Sequence, residues 1–372
     1  MDRDRYLRLQ GVDGLDVARL AAMRVAVVGA GAVGNEVVKN LALMGVGAID
    51  VHDFDSVEIH NLTRSVFLRE ADVGTSKARA VAARAAEVDP NVRLRAVEGD
   101  AWRTLTLAQV ARLDVVVAAV DNLEARMRLS QLCLLAGTPL VNAGIDSRYA
   151  SVEVFPHASA APHACFECHL PESAYARIAQ RYSCGWLRRA LQDERKVPTT
   201  AVTASVAGAL AVESALRLAG PGDAPARRVL VDTRGGASSV VALERNDACA
   251  GCGPLWPRPR RVAAGGDWHR ALVTNAPGAE AVLLSDPVIF GYACTTCGTT
   301  PSAARYLGHR ADEFDDRIMR CAECGRLAAR VDVRGEAPVD ELRRLYGAAR
   351  LPVKYLLARA GTPEAVCIDL EE

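Results

Sequence analysis

The chain has no apolar run of membrane length: no stretch reaches the ~18 uncharged apolar residues of a bilayer span. It has no net charge either, with 45 Lys+Arg against 45 Asp+Glu. That balance argues against a generally basic nucleic-acid binder and against an acidic solvating tail. Lysine is scarce. Only Lys39, Lys77, Lys196 and Lys354 are present, so a lysine inside a motif is informative. The opening MDRDRYLRLQ carries two acids and no apolar segment, unlike a secretory signal, and a cytoplasmic location is expected. In a reducing compartment the 11 cysteines point to metal ligands or reactive thiols instead of disulfides. Half of the 372 residues are hydrophobic, enough for a substantial core, and the length suits one large α/β domain plus a smaller one.

The first 155 residues alternate between strand-like and helix-like patterns. Arg24–Val28, Ala48–Asp55, Val92–Val97, Val115–Val120, Pro139–Ala143 and Arg148–Phe155 read as strands; Val33–Met44 and Lys77–Glu87 read as helices. Such alternation predicts a mostly parallel sheet with helices on both faces. Order weakens over 156–198. A small-residue helix follows at Thr199–Leu218, then two closing strands at Val229–Asp232 and Ser238–Glu244. The proline-rich PLWPRPRR (254–261) reads as a linker, because proline interrupts helices and central strands alike. The expected division is 1–255 and 256–372.

After the first strand comes Gly29-Ala30-Gly31-Ala32-Val33-Gly34, a GxGxxG turn leading into a helix. Glycines let phosphates approach the backbone, and the helix N-terminus offers amides and a positive dipole end. Asp53, ending the second strand, suits ribose hydroxyls. A nicotinamide-dependent enzyme is the obvious reading, but later residues disfavour it. Asn61 and Arg64 follow the second strand, Lys77 follows Gly74-Thr75-Ser76, and Asp121-Asn122 closes VVVAAV. Two cations and an acid at strand ends suit a triphosphate with Mg²⁺. Taken singly, Arg64 and Lys77 read equally well as solvated charges and Asp-Asn as a turn.

In combination these motifs resemble the adenylating enzymes MoeB and ThiF and the ubiquitin-activating enzymes, over roughly residues 3–252. The resemblance implies a Rossmann-like adenylation domain that uses ATP to activate the C-terminal glycine of a ubiquitin-like protein. It assigns Gly29, Gly31 and Gly34 to the nucleotide turn and Asp53 to the ribose. Asn61, Arg64 and Lys77 fall to the phosphates, and Asp121 with Asn122 to Mg²⁺ and nucleotide. Arg5-Tyr6-Leu7-Arg8 matches the family's RYxRQ, with Leu9 in place of Gln. This makes Arg8 an arginine that reaches the partner subunit's ATP and implies a homodimer. Thr63-Arg64-Ser65 stands where the family has Gln-Arg-Gln.

Eight cysteines form four CxxC pairs. Cys294/Cys297 and Cys321/Cys324, each pair followed by glycine, enclose 23 residues, which is zinc-ribbon spacing (290–328). Cys165/Cys168 and Cys249/Cys252 stand too far apart in the chain for a compact ribbon; they match the structural zinc of MoeB-like enzymes. Two structural Zn²⁺ are expected, with His163 and His169 as bystanders. Cys133 reads as a core residue and Cys367 has no motif. Cys184, in the crossover segment 170–198, lies among Arg181, Arg188 and Arg189, which favour a thiolate. In the resembled family this stretch carries the cysteine that accepts the activated carrier, and VPTT (197–200) resembles members that form a thioester. Cys133 and Cys367 are the next candidates.

The leading expectation is adenylation of a ubiquitin-like carrier, thioester transfer to Cys184 and hand-over to a conjugating enzyme, with no nucleic-acid or membrane partner. The alternatives are sulfur-carrier activation for thiamin or molybdopterin synthesis, adenylation of a peptide or small carboxylate, and a non-catalytic nucleotide-binding scaffold. Residues 256–372 hold no second set of nucleophile, base and acid, so they read as a docking module or a stabilising appendage.

Overall fold

The computed structural model describes residues 4–159, 161–175, 198–220, 224–253, 255, 257–300, 308–310, 320–326, 329–347, 349–359 and 365–372. They fall into two compact units: residues 4–169 with 198–253, and residues 170–175 with those from 255 onward.

The first unit is built on an eight-stranded sheet, from β1 (Arg24–Val28), β2 (Ala48–Asp53), β3 (Arg93–Glu98), β4 (Val115–Ala118), β5 (Leu140–Ile145), β6 (Tyr149–Phe155), β7 (Arg227–Asp232) and β8 (Ser238–Ala242). The order is β3-β2-β1-β4-β5-β6-β7-β8. Pairing is parallel from β3 through β5, and β6, β7 and β8 continue antiparallel. The apolar VAVV (25–28) and VVVA (115–118) runs are what a sheet covered on both faces requires. Val25, Val27, Val115 and Val117 face a core shared with α2 (Ala32–Leu43), α3 (Lys77–Val88) and α7 (Ala201–Leu218). Ala26, Val28, Val116 and Ala118 face the opposite core, which takes Leu129 and Cys133 from α6 (Leu123–Ala136). The remaining helices of this unit are α1 (Val17–Ala22), α4 (Ala101–Thr104) and α5 (Leu107–Val110).

Helix α7 is long and apolar enough to cross a membrane. It is instead a core helix: Ala204, Ala207, Ala211, Val212 and Ala215 are buried in the first core. A Cβ at Gly208 would lie 2.4 Å from the Glu36 Cβ, so small residues let α7 press directly on α2.

The second unit contains β9 (Arg260–Ala263), α8 (Trp268–Asn275), β10 (Ala281–Cys294), β11 (Ala329–Pro338), α9 (Val339–Tyr346), β12 (Tyr355–Ala358) and β13 (Val366–Asp369). Its sheet runs β11-β10-β12-β13-β9, with only β13 and β9 parallel. It has its own core, around Trp268, Leu272, Val282, Leu342, Leu356 and Ile368.

Candidate functional site

Strand β1 lies between β2 and β4, where the parallel order reverses; open α/β sheets bind ligands beyond the strand ends at this point. The glycine turn emerges there. Gly29 has φ +99°, and a Cβ on it would lie 2.6 Å from the Ala119 carbonyl oxygen. A Cβ on Gly34 would lie 1.8 Å from the Gly29 carbonyl oxygen, whereas one on Gly31 would meet nothing within 4 Å. Gly29 and Gly34 thus close the packing, and Gly31 opens space before α2. Gly31 is the N-cap of α2, and among the described residues no side chain caps that end. This is the electrostatic setting for a phosphate.

Asp53 ends β2 beside this turn. Its carboxylate accepts the Ala30 amide at 2.6 Å and the Asp55 amide at 2.7 Å. Burial raises its pKa, against the pull of those two amides and Lys77. Lys77 is buried at the start of α3, and its Nζ donates to the Asp55 carboxylate at 2.7 Å. The lysine is held in place by its backbone amide, which donates to the Asp55 carbonyl at 3.0 Å, and by the Val57–Thr75 pairing at 2.8 Å. Arg64 is half-buried and donates to the His60 carbonyl at 3.1 Å. Asn61 is buried, with its side-chain oxygen accepting the Glu58 amide at 2.9 Å.

Asp121 is exposed just beyond β4. Asn122 caps α6 and accepts the Ala125 amide at 2.7 Å. Gly29, Asp53 and Asp121 therefore share the C-terminal edge of three adjacent strands, while Lys77 joins through Asp55. Arg64 joins through a residue that sequence reasoning missed. Asn35 is fully buried in the first turn of α2. It donates to the Ala30 carbonyl at 2.7 Å and accepts the Phe67 amide at 3.0 Å. It thus ties the glycine turn to the loop carrying Arg64. The available signal was a polar side chain within the apolar stripe of AVGNEVV.

Arg8 is exposed in the N-terminal turns. That segment is anchored by Tyr6, which is buried and hydrogen-bonded to Asp89, and by Arg5, which donates to the Val88 carbonyl at 3.0 Å.

Two groups of four cysteines are assembled elsewhere. In the first, Cys165–Cys249, Cys165–Cys168 and Cys168–Cys252 have Sγ separations of 3.7, 3.9 and 3.5 Å. In the second, Cys294–Cys324 and Cys297–Cys321 are both 3.7 Å apart. Four thiolates about 2.3 Å from a tetrahedral Zn²⁺ stand about 3.8 Å from one another, so both clusters fit zinc. Neither cluster includes a histidine. His163 instead contacts His157 at 2.9 Å. Gly298 and Gly325, the glycines after the second set of pairs, have φ +71° and +69°. Their amides return to the Cys294 and Cys321 carbonyls at 2.9 Å, which explains the CxxCG pattern.

Residues 2–252 match the model of the ThiF family. The chain belongs to the ThiF family. Among curated relatives, the SAMP-activating enzyme E1 of Haloferax volcanii is 36% identical over 174 residues, covering 46% of this chain and 63% of that protein. The SUMO-activating enzyme subunit 2 of Dictyostelium discoideum is 31% identical over 40% of this chain and 22% of its own length. The mouse adenylyltransferase and sulfurtransferase MOCS3 is 37% identical over 41% of this chain and 33% of its own. The chain thus spans less than two thirds of these relatives. In fold it is similar to crystal structures of E. coli MccB. The complex with MccA-N7isoASN has a TM-score of 0.54 at 23% identity, over 68% of this chain and 75% of that one. The ATP complex has a TM-score of 0.52 at 23% identity, over 64% and 68%.

In this ThiF-family chain the two remaining described thiols are alike. Cys133 is fully buried and its pKa is pushed up by burial. Cys367 is fully buried on β13 and pushed up to about 12 for the same reason. Neither can act as an accepting thiolate without opening its core. Cys184, Arg181, Arg188 and Arg189 lie outside the described residues.

Proposed function

We propose that this chain uses ATP to adenylate the C-terminal carboxylate of a small carrier protein. The observation that carries the reading is the shared strand edge: an open Gly31 turn at a helix N-terminus, with Asp53, Lys77, Arg64 and Asp121 supplied around it. Membership of the ThiF family and likeness to activating enzymes and adenylyltransferases support it further.

In the proposed step a carrier carboxylate oxygen bonds to the α-phosphorus of ATP. The bond from that phosphorus to the β-phosphate's bridging oxygen breaks, and pyrophosphate leaves. The nucleophile is already an anion, so no general base is required. The protein's task is to orient the carboxylate and offset the charge of the phosphates. Asp53 receives the ribose hydroxyls; the α2 N-terminus, Asn61, Arg64, Lys77 and Asn122 bind the nucleotide. Asp121, an exposed carboxylate at a strand end, suits Mg²⁺, which when bound offsets charge on the triphosphate. Both zinc clusters are structural, because four thiolates leave no open position.

The finer reading is a ubiquitin-like carrier ending in glycine. Its adenylate carbonyl is attacked by the Cys184 thiolate, AMP leaves, and a conjugating enzyme accepts the thioester. Arg8 serves the partner subunit of a homodimer, and the location is cytoplasmic. The MOCS3 relatives, named as both adenylyltransferase and sulfurtransferase, support a second reading in which a sulfur donor consumes the adenylate.

Wild type and Cys184→Ala, incubated with Mg-ATP and the native lysate, separate these readings by intact mass and pyrophosphate release. A thiol-sensitive small-protein adduct lost in Cys184→Ala is expected. Pyrophosphate release without an adduct transfers the reading to sulfur-carrier or peptide activation. Asp121→Ala is expected to lower pyrophosphate release by more than about a hundredfold; release at the wild-type rate removes its Mg²⁺ role.

A further inference from the structure

Arg126 lies in the first turns of α6, immediately after Asp121 and the Asn122 cap. Its guanidinium binds three acceptors, one just beyond β4 and two within β5. Two are the Val120 carbonyl beyond β4 and the Asn142 side-chain oxygen on β5. The third is the Ala143 carbonyl at 2.9 Å. Asn142 in turn donates to Glu153 on β6 at 2.6 Å, and Glu153 accepts from Arg228 on β7 at 2.9 Å. Asp121 and Glu153 are the acids whose charge acts on the guanidinium. A planar fork that meets three fixed carbonyl oxygens sets backbone geometry in a way a lysine's single ammonium cannot.

The residue whose carbonyl it grips is the one before Asp121. β4 ends at Ala118, so Val120 and Asp121 are outside the ladder that would otherwise hold them. We propose that Arg126 is a positioning residue: by fixing the Val120 carbonyl to the middle of β5, it aims the Asp121 carboxylate at the metal–triphosphate group. The proposal rests on the reading that the strand edge binds Mg-ATP. It adds that the arrangement of Asp121 is supplied from β5, through the Asn142 side chain and the Ala143 carbonyl.

The test uses the full chain with its zinc. ATP affinity is measured with and without MgCl₂ in wild type, Arg126→Lys, Asp121→Asn and Glu153→Gln, with melting temperatures alongside. Mg²⁺ is expected to tighten ATP binding in wild type. In Arg126→Lys the ratio of the two affinities falls about tenfold, as in Asp121→Asn, while Mg-free ATP binding changes less than about twofold. Glu153→Gln keeps all three acceptors of Arg126 and leaves the ratio unchanged. If Arg126→Lys melts below the assay temperature, Asn142→Ser withdraws one acceptor and is expected to lose about threefold of the same ratio. A wild-type ratio in the folded Arg126→Lys or Asn142→Ser protein overturns the proposal and leaves the ATP reading intact. Parallel losses with and without Mg²⁺ reduce Arg126 to a structural tie and also overturn it. Absence of Mg-dependent ATP binding in wild type overturns both.

Discussion

The two cysteine clusters are chemically alike and structurally opposite. The first joins pairs far apart in the chain, Cys165/Cys168 with Cys249/Cys252, and all four of its thiols are buried. Its halves follow β6 and β8, so the first sheet must be laid down before they meet. The second joins pairs 23 residues apart, across the open end of β10 and β11, with Cys297 exposed. A ligand set closed by one hairpin depends on local structure alone. A set closed across two further strands and a core helix reports on the whole fold, since metal binding and folding are linked. The proposed nucleotide site is likewise an assembly of the whole fold, drawn from β1, β2, β4 and the loops between them.

Replacing one ligand in each cluster is the most direct way to break this comparison. Cys168→Ser is expected to lower the melting temperature by more than about 10 °C, and Cys297→Ser by less than about 5 °C. Wild type is expected to hold about two zinc ions and each variant about one. Equal shifts in melting temperature would mean that the two clusters are equally local.

A smaller effect is expected at the glycine turn. Gly34→Ala drives a Cβ into the Gly29 carbonyl and should cost more than about 3 kcal/mol in denaturant unfolding. Gly31→Ala points into open space and should cost less than about 1 kcal/mol while weakening ATP binding about tenfold. Comparable stability losses at the two positions would remove the distinction between packing glycine and ligand glycine.

The smallest effect is a pH dependence on the sheet side. His52 is buried on β2, and burial lowers its pKa from 6.5 to about 4. The folded state thus holds it neutral while the unfolded chain takes up a proton below about pH 6.5. Its contribution to stability is intact above that pH, falls as pH drops toward 4, and then levels off, by up to about 3 kcal/mol in all. His52→Gln should flatten this part of the stability–pH curve; an unchanged slope would assign it to other groups.

Much of the first unit was legible because its central strands β1 and β4 carry continuous apolar runs and its helices have clean breaks. Arg24–Val28, Lys77–Val88 and Ala201–Leu218 lie within a residue or two of where the pattern puts them. The CxxCG pairs were legible because left-handed glycines are part of the knuckle itself. Asn35 and Arg126 were not, since a buried asparagine and a helix-borne arginine gain meaning only from the carbonyls that surround them. The pairing of Lys77 with Asp55 was likewise invisible, because it depends on a strap formed between residues 55–57 and 74–77. The exclusion of Cys133 and Cys367 as accepting thiols also needed the two cores to be in view.

The sequence by itself determined which residue types were available and in what order: a glycine turn after a strand, acids at strand ends, two cations in loops, four CxxC pairs. Local rules suffice for these, because backbone conformation and hydrophobic periodicity act over a few residues. Tertiary structure alone decided which of them meet. Sheet order placed β1 between β2 and β4, and long-range packing closed the first thiol cluster. The physical reason is that hydrogen bonds, ion pairs and metal ligands act over a few ångströms, a distance that separation along the chain does not specify.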